Sequence, residues 1–191
     1  MPDYRRAFAP GGTFFFTVVT ANRAPILCTR VAIGLLRSAF AETRRRRPFT
    51  IDAIMILPDH LHAIWTLPKD DHDFSIRWAL LKKSFTQGWL AASGGEQATS
   101  ESNCRHRRRG VWQRKFWEHT IRDERDFGRH FDYIHFNPVR HELVRCPRQW
   151  PHSSFHQWVK KGAYEWRWNC VCGRRRIRQP SFDAIAKTAM E

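Results

Sequence analysis

The sequence predicts an α+β domain of the split β-α-β kind: four strands in one antiparallel sheet, helices on one face, and a further helix after the last strand. Three observations carry this. Short β-branched or aromatic runs alternate with longer stretches of helical spacing, in the order β-α-β-β-α-β-α. Pro, Gly and Asp stand at the junctions between them. A chain of 191 residues, 42% hydrophobic and 14% aromatic, is long enough for one domain with a proper core and a modest extension.

Residues 13–20 (TFFFTVVT) follow Pro10-Gly11-Gly12 and read as a buried strand. Residues 31–46 place Val31, Ile33, Leu35, Leu36, Ala39 and Phe40 at near-helical spacing, and the arginines at the end suit a helix C-terminus. Residues 51–57 and 61–67 form two apolar strands around the turn Pro58-Asp59-His60, a hairpin that Pro68 closes. Asp73 caps a helix over 74–90, with Ile76, Leu80, Leu81 and Phe85 on one stripe. Residues 91–109, rich in Gly, Ser, Glu, Gln and Arg, read as a long mobile surface loop. Residues 111–121 (VWQRKFWEHTI) supply the fourth strand. Asp123 then caps a helix over 124–136, which Pro138 ends by disfavouring helical geometry at Asn137. The expected organisation is a domain over 1–145, with the mobile loop near 91–110, and a basic, Trp-rich C-terminal tail over 146–191. The element order is ferredoxin-like or RRM-like, a common nucleic-acid platform that does not by itself assign a function.

Lys and Arg number 33 against 18 Asp and Glu, a formal net charge of +15 that points to a polyanion. The net charge is +7 over residues 1–50, −2 over 51–100, and +5 over each of 101–150 and 151–191. Dense arginine runs lie at 44–47, 105–109 and 174–178. No stretch approaches the ~20 consecutive apolar residues of a spanning helix, and Met-Pro-Asp-Tyr-Arg-Arg lacks a signal peptide's apolar core. The five cysteines are odd in number and scattered, which argues against a disulfide framework and for a cytoplasmic setting.

The chemistry concentrates in two segments. In Leu57-Pro58-Asp59-His60-Leu61-His62 the strand period puts His60 and His62 on one face and Leu61 on the other, a bidentate start for a metal site. In Asp132-Tyr133-Ile134-His135-Phe136-Asn137 the helical period makes Tyr133 and Asn137 neighbours on one face.

These segments resemble the HUH single-tyrosine transposases, and most closely the REP-associated tyrosine transposases of bacteria. The resemblance spans residues 5–168 through PGGTFFFTVVTANR, LPDHLHAIWTLP, LLKKSFTQGW, GVWQRKFWEHTIRDERDF, YIHFNPVRHELV and WPHSSF. Two departures stand out: Glu142 occupies a position where the family pattern has glycine, and neither the 105–109 arginine loop nor the chain after Trp168 has an assignable counterpart. The resemblance implies an enzyme that cleaves single-stranded DNA at palindromic hairpins, with Tyr133 as nucleophile and a 5′-phosphotyrosine intermediate. It implies one Mg²⁺ or Mn²⁺ held by His60, His62 and Asn137, and a monomer. The link conserves the phosphodiester's energy, so no nucleotide cofactor is required, and no GxxxxGK[ST] loop is present. Lys82, Lys83, Arg114, Lys115 and Arg122 lie in or beside the family motifs and are the expected phosphate contacts, while exposed Trp or Phe would stack on unpaired bases. The acceptor of the tyrosine proton stays open, with His135 and His119 nearby in sequence. Two rival readings use the same residues. One is an RRM-like single-stranded nucleic-acid binder that performs no chemistry. The other is a zinc-stabilised binder using His152, His156, Cys170 and Cys172.

Overall fold

The computed structural model describes residues 9–99, 101, 105–106, 109–172 and 182–189. Among them, β1 (Thr13–Val19) leads through a 3-10 turn at Ala21–Arg23 into α1 (Arg30–Arg46). Then come β2 (Thr50–Ile56), β3 (His60–Thr66), α2 (Phe74–Ala91), β4 (Trp117–Thr120) and α3 (Glu124–Arg140). A second 3-10 turn at Pro147–Gln149 precedes the short helices α4 (Phe155–Lys160) and α5 (Asp183–Thr188). The strands form one antiparallel sheet in the order β2-β3-β1-β4, so the histidine strand lies in the interior.

Strand alternation divides the core in two. Leu61, Ala63 and Trp65 join Phe14, Phe16 and Val18 under α1 and α2, where Trp65 stacks on Trp78 at 4.0 Å between ring centroids. Phe15, Met55 and Ile64 face the other way and pack against Phe131, Tyr133 and Ile134 of α3. The tyrosine helix thus has the second face of the sheet, across β2 and β3. The expected caps are present: Asp73 Oδ1 accepts from Ile76 N–H at 2.9 Å and Asp123 Oδ1 from Asp126 N–H at 2.7 Å.

Two expected boundaries move. β4 is only Trp117–Thr120, because residues before it leave the ladder: Trp112 makes an isolated bridge to Thr20, and Lys82 Nζ donates to Gln113 O at 2.9 Å. α3 does not stop at Phe136 but runs through Pro138 to Arg140. Pro138 has no N–H to offer Ile134 O, a loss confined to the last turn. Burial of Asn137, Pro138 and Val139 outweighs it, and the helical bonds resume with His141 N–H to Asn137 O at 2.9 Å.

The helix then ends in a Schellman motif. Leu143 N–H donates to Pro138 O and Glu142 N–H to Val139 O, each at 3.0 Å, and Glu142 takes φ 57°. Glycine takes this left-handed position without a Cβ clash, so Glu142 carries strain that a glycine would not.

Residues 150–158 lie along the free edge of β2. Ile56 N–H donates to His152 O and Ser154 N–H to Ile54 O, each at 2.9 Å; Ser154 Oγ accepts from Ile54 N–H at 2.9 Å. Trp150 Nε1 donates to Ile56 O at 2.9 Å and Trp158 Nε1 to Asp52 O at 2.8 Å, beside a register shift between Ile51 and Ala53. An edge that would otherwise present unpaired backbone is covered by this segment.

Candidate active site

The two histidines stand where strand alternation put them. Their rings lie 5.0 Å apart between centroids, both are buried, and Tyr133 of α3 sits 5.3 Å from His62. Phe15 on β1 packs against both His62 (5.4 Å) and Tyr133 (5.9 Å), fixing the two rings relative to the sheet. Asn137, one turn beyond Tyr133 on α3, is also fully buried. His60, His62 and Tyr133 therefore meet at one sheet-helix interface, with Asn137 buried one turn further along the same helix. Phe182, beside α5, lies over Tyr133 at 5.6 Å.

Each histidine is oriented through Nδ1. His60 Nδ1 lies 2.6 Å from Asp59 Oδ1, and Arg23 donates to Asp59 Oδ2 at 2.8 Å. Burial pushes the Asp59 carboxyl up, but the hydrogen bonds and charges of His60 and Arg23 outweigh it and hold the group well below the usual carboxylate range. His62 Nδ1 pairs with Thr17 Oγ1 at 3.0 Å, across the β1–β3 ladder where the two residues are register partners. With both Nδ1 atoms engaged, Nε2 is the atom each imidazole would offer a cation, in the carboxylate-histidine arrangement common to metal sites. Imidazole nitrogens and an amide oxygen are donor types that a hard-to-borderline divalent ion takes.

Sequence reasoning did not find four residues at this site: Thr17, Arg23, Asp59 as an orienting group, and His141, whose ring is 5.3 Å from His60. Asp59 was visible as the residue preceding His60, and His141 as the residue one turn after Asn137. Thr17 had no local signal, because its pairing spans 45 positions.

The two histidines near Tyr133 in sequence are otherwise committed. His135 Nδ1 lies 2.9 Å from Phe131 O and Nε2 lies 2.9 Å from Ser154 Oγ; burial pulls its pKa down to about 3, so it is neutral in the fold. His119 Nε2 pairs with Asp126 Oδ2 at 2.8 Å and stacks on His130 at 4.5 Å. Asp126 also lies 3.2 Å from His130 Nδ1, making a second cluster at the start of α3 that reaches the centre through the Phe15–His130 contact at 4.9 Å.

Three of the five expected phosphate contacts converge. Lys82, Lys83 and Arg114 line one cleft of about 1170 Å³, together with Arg109, Asn22 and Thr86. Arg109 is held there by a bidentate pair with Glu96 at 2.5 and 2.7 Å, which also ties down the ends of the 91–110 segment with the Gln97 N–H to Gly110 O bond. Lys115 is exposed outside that lining, and Arg122 lies apart, 3.8 Å from Asp126. The 174–178 run falls outside the described residues. Of the tryptophans, Trp65, Trp78, Trp89 and Trp112 are core and Trp166 is exposed.

No protein-family model matches the chain. Individual relatives do. A protein of Escherichia coli K12 described as a REP-associated tyrosine transposase is 43% identical over 168 residues, covering 88% of this chain and 91% of that one. A solved structure of a REP-associated tyrosine transposase bound to a REP hairpin aligns with a TM-score of 0.74 and 39% identity, over 95% of this chain and 99% of that one. Both relatives are tyrosine transposases, a class of enzymes that nick and join DNA. The chain belongs to the REP-associated tyrosine transposase family.

Proposed function

We propose that the chain nicks and rejoins single-stranded DNA beside a palindromic hairpin, with Tyr133 as the nucleophile. The observation that carries this is the meeting of the Tyr133 ring with the His60–His62 pair at one buried interface, 5.3 Å from His62. The Tyr133 hydroxyl attacks the scissile phosphorus as its proton leaves. The bond from phosphorus to the 3′ oxygen breaks, that oxygen takes up a proton, and the 5′ phosphate remains linked to Tyr133. Attack by a 3′-hydroxyl on the linkage reverses the step and joins strands without any nucleotide cofactor.

Mg²⁺ or Mn²⁺ held by His60, His62 and Asn137 would polarise the phosphate and offset the charge developing on the leaving oxygen. The residues present fit such an ion, since Asp59 and Thr17 hold both imidazoles by Nδ1. Lys82, Lys83 and Arg114 grip the phosphates of the strand along their cleft, which puts the surplus charge to work in binding. The solved relative bound to a REP hairpin supports a hairpin substrate for this chain as well. A cytoplasmic setting suits that substrate, and no helix among the described residues is long and apolar enough to cross a membrane.

The test is a denaturing gel of protein incubated with labelled single-stranded hairpin DNA and Mn²⁺. The wild-type chain should give a covalently shifted band, and Tyr133→Phe and His62→Ala none, while both variants keep salt-sensitive binding. A Tyr133→Phe adduct would show the nucleophile to be another residue. Binding without any adduct from the wild-type chain would favour the non-catalytic binder.

A further inference from the structure

Away from the histidine-tyrosine centre, the fold gathers three thiols from two distant stretches of chain. Cys146 and Cys170 are buried and Cys172 is exposed, and their Sγ atoms all lie within 4.8 Å of one another. Cys146 Sγ and Cys172 Sγ are 3.2 Å apart. The backbone holds this triangle. Val171, between two of the cysteines, donates its N–H to O of Arg145, which precedes the third, at 2.8 Å. Gln149 Oε1 accepts from the N–H groups of Arg145 (3.0 Å) and Cys146 (2.9 Å) and closes the turn that presents Cys146.

The histidines that the sequence groups with these cysteines are not in this triangle: His156 Nε2 pairs with Arg148 O at 2.7 Å, and the third thiol is that of Cys146. The His152/His156 zinc arrangement is therefore not assembled, because Cys146 reaches the Cys170–Cys172 turn and the histidines do not.

We propose that Cys146, Cys170 and Cys172 form a structural site for a soft divalent cation, zinc, with water as the fourth ligand. Zinc-sulfur bonds of ~2.3 Å in a tetrahedral site place sulfurs roughly 3.8 Å apart, and here one pair is 3.2 Å apart with all three sulfurs within 4.8 Å of one another. Three Zn–S bonds form as three S–H protons pass to solvent. Cys172, the one exposed sulfur of the three, is the entry point for the ion. The site would pin the chain that leaves α3 to residues 170–172. It is independent of the nuclease reading and stands or falls without it.

Elemental analysis of the untagged full-length chain, purified under reducing conditions with zinc supplied, tests this. One zinc per chain is expected, retained in Cys28→Ser and reduced to background in Cys146→Ser and Cys172→Ser. Should those variants fail to fold, cobalt substitution of the wild-type chain provides a second readout, a thiolate-to-cobalt charge-transfer band. Folded wild-type protein without stoichiometric zinc, a cobalt spectrum without thiolate bands, or a Cys146–Cys172 disulfide found by non-reducing peptide mapping would each overturn the proposal.

Discussion

Asp59 joins the histidine pair to the Arg23 side chain. It bonds His60 at 2.6 Å and is itself held by Arg23, so its carboxylate leaves Nε2 as the nitrogen that a cation held there would meet. Asp59→Asn should weaken Mn²⁺ affinity roughly 10- to 100-fold, as loss of such orienting partners typically does, and a Mn²⁺ titration of nicking would show the midpoint rising. If the midpoint stays put, Asp59 does not act through the ion. His135 makes a separate prediction about stability. Its folded pKa of about 3 lies below the ordinary value of 6.5, so protonation favours the unfolded chain. Its stabilising contribution is complete above pH 6.5 and is lost as pH falls from there towards 3, at up to roughly 1.4 kcal/mol per pH unit. Urea denaturation at a series of pH values should show that decline, and His135→Gln should flatten it.

Two elements store or relieve measurable energy at their ends. α3 terminates with Glu142 at φ 57°, a conformation that costs a residue with a Cβ about 1 kcal/mol relative to glycine. Glu142→Gly should raise stability by about that amount with no change in nicking, read as a shift of the urea midpoint at constant slope. The β2 edge depends on Ser154, whose Oγ accepts from Ile54 N–H and pairs with His135 Nε2 at 2.9 Å each. Ser154→Ala leaves two buried polar groups without that oxygen and should cost about 1–3 kcal/mol. Unchanged stability would mean the edge is held by the backbone bonds alone.

Across the molecule, the surplus of positive charge is distributed unevenly, and the fold collects part of it at one cleft. Lys82 and Arg109 have partners within the protein, in Gln113 O and Glu96, while Lys83 and Arg114 are exposed on the cleft's rim. Alanine at both exposed positions should reduce the salt dependence of single-stranded DNA binding by about 0.7 in log-log slope for each phosphate contact removed. Fluorescence anisotropy across a salt series measures this directly, and an unaltered slope would take the strand off this cleft.

Much of the fold was legible in the sequence because it follows local periodicity. The histidine pair, the tyrosine-asparagine face and two aspartate caps depend on residues at most four positions apart, and alternation or helical pitch dictates where they point. The end of α3 was misread for the complementary reason. Pro138 carries a local rule against helix, and burial of the residues around it overrode that rule. Residues 150–158, within a stretch that showed no period, owe their course to the backbone groups of β2, some 100 positions away. What only the tertiary structure decided is which distant groups meet: Thr17 with His62, α3 on the face opposite α1 and α2, and Cys146 with Cys170 and Cys172. Composition and spacing cannot encode those pairings, since they arise from burying two faces of one sheet at once, and that requirement acts on the whole chain.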